Sequence, residues 1–181
     1  MTESPSDTNV QQLLAAAPPY RTVDLPGLGH LAVRDSGDRQ DGGPTVLLLH
    51  GWTVSADLNW CTAYGPLIER YRVVAWDHRG HGARGLRTGR STRIDDLADD
   101  AAAIAAALEI DRVIAVGYSM GGAVAQALWR RHPGLVEGLV LCATAAAFGL
   151  TDTDRRDFQA VSRGIGPARL LESLGMGGVG W

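Results

Sequence analysis

The sequence predicts a doubly wound α/β fold, a mostly parallel sheet with flanking helices. Three observations carry that expectation. The runs Thr45 to Leu49, Tyr71 to Trp76, Arg112 to Val116 and Leu135 to Cys142 are short, rich in aliphatic residues and barely alternating, as strands covered on both faces are. Stretches with helical spacing lie between them, and strand–helix alternation of this kind buries a parallel sheet. A chain of 181 residues, 45% of them hydrophobic, supplies the apolar material for one such domain.

The elements follow in order. Residues 1–19 read as a flexible N-terminal arm ending in Pro18-Pro19, with room for a helical turn around Val10 to Ala17. Tyr20 to Leu25 and His30 to Arg34 are short strands joined by the hairpin-like turn Pro26-Gly27-Leu28-Gly29. The clearest helix covers 93–108, where Ile94, Leu97, Ala101, Ile104 and Leu108 share a face. Thr92 is its expected cap, with Asp95 three residues on and Asp96 near the positive end of the helix dipole. A second helix runs from Met120 to Arg131 and stops at His132-Pro133, because proline rejects a helical predecessor. Beyond Ala147, Asp152 to Arg163 and Pro167 to Leu174 read as two further helices. No apolar strand follows them, so the sheet reads as interrupted.

Composition excludes several classes. A formal net charge of -3 gives no global attraction to nucleic acid or to an anionic membrane. Two cysteines build no disulfide framework. Met1 to Asn9 does not resemble a signal peptide, and no apolar run approaches the roughly 20 residues of a membrane span, so a cytoplasmic protein is expected. Histidine and cysteine are too scattered for a metal site. Gly80-His81-Gly82-Ala83-Arg84-Gly85 matches G-x-G-x-x-G, yet Leu86 to Ser91 reads as loop where a dinucleotide site needs a helix. Gly175 to Gly180 matches it without strand or helix, and a chain lacking lysine has no phosphate loop. No cofactor is expected. Arg79, Arg84, Arg87, Arg90 and Arg93 read as a solvated basic loop.

The chemistry is concentrated in Val113-Ile114-Ala115-Val116-Gly117-Tyr118-Ser119-Met120-Gly121-Gly122, which sets G-x-S-x-G between a strand and a helix. A sharp turn there strains the central backbone and holds the Ser119 hydroxyl clear of the sheet. Flanking backbone comes so close that Gly117 and Gly121 must lack side chains.

Leu47-Leu48-Leu49-His50-Gly51-Trp52, Trp76-Asp77-His78-Arg79-Gly80-His81-Gly82 and the Ser119 turn, in that order, resemble the α/β-hydrolase superfamily in its serine-nucleophile, lid-containing branch. Each segment sits at the C-terminal end of an expected strand, where open α/β sheets place their sites. The resemblance implies a hydrolase core over 20–147 and the start of lid helices over 148–181. It implies Ser119 as nucleophile and the backbone N–H groups of Trp52 and Met120 as oxyanion donors. His50, Gly51, Asp77, Arg79, Gly80, Gly117 and Gly121 would then be structural members of the motifs. A serine at this position separates the chain from relatives with aspartate nucleophiles and favours acyl transfer to or from a small-molecule substrate.

The family places its acid and histidine after the serine. The one histidine after Ser119 is His132, 13 positions on at the far end of the helix, roughly 20 Å away at about 1.5 Å per residue. It is excluded as a base. Glu137, Asp152, Asp154, Asp157 and Glu172 follow no additional strand. The expectation is a chain that stops before the last strands and the triad partners, leaving Leu135 to Cys142 as an exposed edge through which copies could associate. A base drawn from His50, His78 or His81 is the alternative, although such positions brace the oxyanion loop in the family. Two functions remain open. One is a serine hydrolase of esters, thioesters or related acyl compounds, weak or inactive in this chain, with acyltransferase and perhydrolase variants on the same nucleophile. The other is a non-catalytic binding remnant of the fold.

Overall fold

The computed structural model describes residues 10–38, 42–82, 85–86 and 92–145. Its elements are α1 (Val10–Leu14), β1 (Tyr20–Leu25), β2 (Gly29–Asp35), β3 (Thr45–Leu49), α2 (Ala56–Trp60), α3 (Tyr64–Ile68), β4 (Arg72–Trp76), α4 (Ile94–Ala107), β5 (Val113–Tyr118), α5 (Met120–Arg131) and β6 (Val136–Cys142). The strands form one sheet in the order β1-β2-β4-β3-β5-β6. β1, β2 and β4 pair antiparallel, whereas β4, β3, β5 and β6 run parallel. This is the mixed, mostly parallel α/β sheet that the apolar runs predict.

Period-two geometry explains why β3 and β4 do not alternate. Leu47 and Leu49 point into one core with Val74, Trp76 and the apolar faces of α4 and α5. Val46 and Leu48 point into the other with Val73, Ala75, Trp60 and Tyr64. Both faces are dry, so every residue of β3 and β4 is buried. Each fully buried leucine contributes about 2 kcal/mol of transfer free energy.

Two arginine–carboxylate clusters hold charge beneath the surface. Arg72 binds Asp35 with both Nε and Nη2, at 3.0 and 2.9 Å, and also pairs with Asp38. Arg34 grips Asp57 with Nε and Nη2, each at 2.7 Å, while its guanidinium lies 4.0 Å over the Tyr20 ring. A buried charge needs such a partner to be tolerated.

One local expectation, the cap of α4, is corrected, and two features are added. The arm over 1–19 is docked at its end: Leu14 and Ala17 pack on the second core, and the Pro18 carbonyl accepts from Arg34 Nη1 at 2.6 Å. The cap of α4 is Arg93 rather than Thr92, and the reach-back carboxylate is Asp96, which accepts the Arg93 N–H at 2.9 Å. Helices α2 and α3 have no counterpart in the sequence reading, because five residues are too few to establish a period.

Contacts divide the chain into residues 1–144 and 145–181. The two helices expected over Asp152 to Arg163 and Pro167 to Leu174 lie outside the described residues. Among the described residues, no helix is long and apolar enough to cross a membrane.

Candidate active site

Strand β5 delivers Ser119 to the C-terminal edge of the sheet, and α5 starts at the next residue. Ser119 has φ 51° and ψ -114°, a left-handed conformation for a residue with a side chain. Such a backbone costs about 1–3 kcal/mol and persists only where its surroundings impose it. Close packing imposes it here. A Cβ on Gly117 would lie 2.2 Å from the Gly121 carbonyl oxygen, and one on Gly121 would lie 1.9 Å from that of Leu49. The strand thus runs into its own helix and against β3 with only glycine at the contacts. The first N–H groups of α5 have no intrahelical acceptor, and the positive end of its dipole lies at Ser119.

The loop after β3 passes directly beside the serine. A Cβ on Gly51 would stand 3.5 Å from Ser119 Cβ and 3.2 Å from Tyr118 Cδ1. Register explains the approach, since β3 and β5 are neighbours with Leu49 opposite Gly117. Three hydrogen bonds fix this loop. Gly51 N–H donates to Asn59 Oδ1 at 2.8 Å, Ala56 N–H donates to Asp77 Oδ1 at 2.8 Å, and His50 Nδ1 lies 2.7 Å from the Gly51 carbonyl oxygen.

The tautomer of His50 follows from its partners. Nε2 accepts the His78 backbone N–H at 2.8 Å, so in the neutral ring Nδ1 carries the proton and donates to Gly51. Burial, with the neighbouring His81 adding to it, lowers the His50 pKa to about 4, and the bond to Gly51 offsets part of that fall. His50 is therefore neutral and has both nitrogens engaged.

His78 packs at 4.3 Å on the His50 ring and edge-on to Trp76 at 6.0 Å. It is buried, and among the described residues neither of its ring nitrogens has a hydrogen-bond partner. Burial pushes its pKa well below the ordinary value. His81 is half-buried with Nδ1 3.2 Å from the Arg79 carbonyl oxygen. Arg79 itself forms a buried two-pronged pair with Asp100 on α4, Nε to Oδ2 at 2.6 Å and Nη2 to Oδ1. Gly80 turns the chain at φ 78°.

The sequence motifs thus meet at one edge of the sheet, with Ser119 beside Gly51 and with the His50 ring against those of His78 and His81. His132 does not join them. Its Nε2 lies 2.8 Å from Asp99 Oδ1 at the C-terminal end of α5. Among the described residues no histidine hydrogen-bonds the Ser119 hydroxyl, and no group of three or more His, Cys, Asp or Glu side chains is placed to hold a metal. Three contributors escaped the sequence reading: Asn59, Asp100 and Thr144. Thr144 donates its hydroxyl to the Ser119 carbonyl at 2.8 Å.

Comparison with known proteins identifies the family. The profile of the alpha/beta hydrolase fold matches residues 44–165. The chain belongs to that family. It is 41% identical over 101 residues to a non-heme haloperoxidase of Rhodococcus erythropolis, covering 55% of this chain and 36% of the relative. It is 34% identical over 113 residues to a bifunctional esterase/perhydrolase of Acinetobacter calcoaceticus, covering 59% and 40%. A thermophilic esterase from Thermogutta terrifontis, solved with malate, superposes with a TM-score of 0.67 at 28% identity, over 86% of this chain and 57% of that one. This α/β-hydrolase chain therefore spans well under two thirds of the length of the relatives it matches.

Proposed function

We propose that the protein is a serine-dependent acyl hydrolase in which Ser119 attacks the carbonyl of a small ester, thioester or related acyl compound. Its hydroxyl oxygen forms the acyl bond as the alcohol or thiol departs, and water then releases the acid. The N–H groups of Trp52 and Met120 receive the developing oxyanion. The observation that carries the reading is the strained Ser119 backbone between β5 and α5, with Gly51 beside it. The relative named as a bifunctional esterase/perhydrolase supports an acyl substrate and keeps perhydrolysis within the same reading. Two cysteines without a disulfide support a cytoplasmic setting.

A base is required for turnover. His50 is disqualified because its one acceptor nitrogen already takes the His78 N–H. His132 is tied to Asp99. With His50 and His132 engaged and no histidine among the described residues hydrogen-bonded to the Ser119 hydroxyl, the 181 residues are expected to react slowly with activated acyl groups, at the residual level that an oxyanion site gives without its base. The engagement of these histidines also favours a second reading, a non-catalytic binding remnant of the fold. Labelling with a fluorophosphonate, together with a burst assay on p-nitrophenyl acetate, separates the two. A slow covalent adduct at Ser119 that Ser119→Ala abolishes supports the nucleophile. Absence of any adduct in the folded chain supports the remnant.

A further inference from the structure

We infer that Thr144 is a positioning residue for the oxyanion site, holding the Ser119–Met120 peptide through its carbonyl so that the Met120 N–H faces the substrate. The inference rests on the proposed nucleophile and concerns a residue outside all three sequence motifs.

The argument begins with the peptide plane. In a trans peptide the carbonyl oxygen and the following N–H point in opposite directions, so whatever fixes one aims the other. The Ser119 carbonyl has two lone pairs, and both are occupied. Gly122 N–H donates at 2.9 Å and Thr144 Oγ1 at 2.8 Å. A carbonyl only accepts, so the hydroxyl hydrogen must lie on this bond. Rotating the peptide about ψ of Ser119 would break both bonds at once. That rotation is the obvious route for relieving a backbone at φ 51° and ψ -114°, and it would carry the Met120 N–H away from the site.

Packing locates Thr144 as firmly as its hydrogen bond does. It lies just past the end of β6, whose Cys142 carbonyl accepts the Ser119 N–H at 2.9 Å. A Cβ added to Gly122 would come within 2.4 Å of Thr144 Cγ2, so the threonine methyl fills the space that the second glycine of Met120-Gly121-Gly122 leaves open. The other donor peptide is held in the same way. The Gly51 carbonyl takes the His50 Nδ1 proton at 2.7 Å, which turns the Trp52 N–H to the opposite side. Each donor peptide is thus pinned from behind by a side chain on its carbonyl.

The test compares Thr144→Val, which keeps shape and removes the hydroxyl, with Thr144→Ser, which keeps the hydroxyl. Saturation kinetics of fluorophosphonate labelling on the full chain give the maximal rate of adduct formation and the half-saturating probe concentration separately. The valine variant should lose about tenfold in maximal rate, the worth of one hydrogen bond at about 1.4 kcal/mol per factor of ten, with half-saturation unchanged. The serine variant should recover to within about threefold of wild type. A purely structural threonine would shift melting without this split. If wild type labels at Ser119 and the valine variant matches it, or the serine variant falls equally far, the inference fails while the nucleophile stands. If wild type does not label, both fall together. Should the valine chain not fold, Thr144→Ala removes the hydroxyl without setting a methyl in its place and is read against the same outcomes.

Discussion

Acidification below neutral pH should weaken the fold, and His50 sets the size of the effect. Its ordinary pKa of 6.5 falls to about 4 in the folded chain, chiefly through burial. Between those values the unfolded chain binds a proton at this residue that the folded chain refuses. Stability is therefore complete above about pH 6.5, declines as pH drops, and levels off near pH 4. At about 1.4 kcal/mol for each unit, the fall amounts to about 3 kcal/mol from His50 alone. His78 is lowered in the same direction by burial and steepens the slope. Asp35 and Asp57 do not blur the window. Burial pushes both carboxyls upward, but Arg72 and Arg34 override it and hold them below the ordinary 3.8, so their stabilisation fades only at lower pH. A domain of this size has about 5–15 kcal/mol in total, which makes the loss easy to measure. Urea unfolding followed by circular dichroism between about pH 7.5 and 4.5 gives it directly. His50→Gln, which cannot titrate, should leave only the slope of His78. A wild-type unfolding free energy that changes by less than about 1 kcal/mol over this range would refute the burial of a neutral His50.

Replacing His78 by leucine should be neutral or stabilising by about 1 kcal/mol at neutral pH, because it removes ring nitrogens that have no partner among the described residues; a loss above about 2 kcal/mol in urea unfolding would reveal a bond they do make. Gly121→Ala forces a Cβ to within 1.9 Å of the Leu49 carbonyl, so α5 must move off β3. A loss of about 3 kcal/mol is expected, and a loss below about 1 kcal/mol in the same assay would show that the helix has slack. On β6, Val140 and Leu141 are 45% and 43% exposed, and among the described residues the strand pairs only with β5. Val140→Lys should therefore reduce association between copies in light scattering; a wild-type chain that is already monodisperse would remove the premise.

The strands were legible because burial on both faces leaves a compositional trace: β3 reads Thr-Val-Leu-Leu-Leu and β4 Arg-Val-Val-Ala-Trp, with no solvent-facing position to interrupt them. The turn at Ser119 was legible because only glycine fits at Gly117 and Gly121, and that requirement is written in the sequence. Other features left no such trace. Helices α2 and α3 are single turns, and α3 even contains Gly65 and Pro66. Asn59 and Thr144 act on backbone groups 8 and 25 residues away, so no local pattern marks them. The His50 tautomer depends on a backbone N–H 28 residues distant and could be read only from the fold.

These differences separate two tasks that a serine hydrolase must perform. In the proposed enzyme, holding the nucleophile and aiming the donors would fall to strain, glycine contacts and two side chains bonded to carbonyls. None of these groups changes charge near neutral pH: His50 stays neutral until about pH 4, and a threonine hydroxyl does not titrate. Moving the proton is a different task and requires a group with a pKa near the working pH. In the proposed enzyme, the pH dependence of reaction therefore belongs to whichever base reaches Ser119, whereas the pH dependence of stability belongs to His50 and His78. The two profiles should have different midpoints in one protein. Coincident midpoints would mean that a histidine from the buried cluster serves as the base, which the hydrogen bond from His78 N–H to His50 Nε2 opposes.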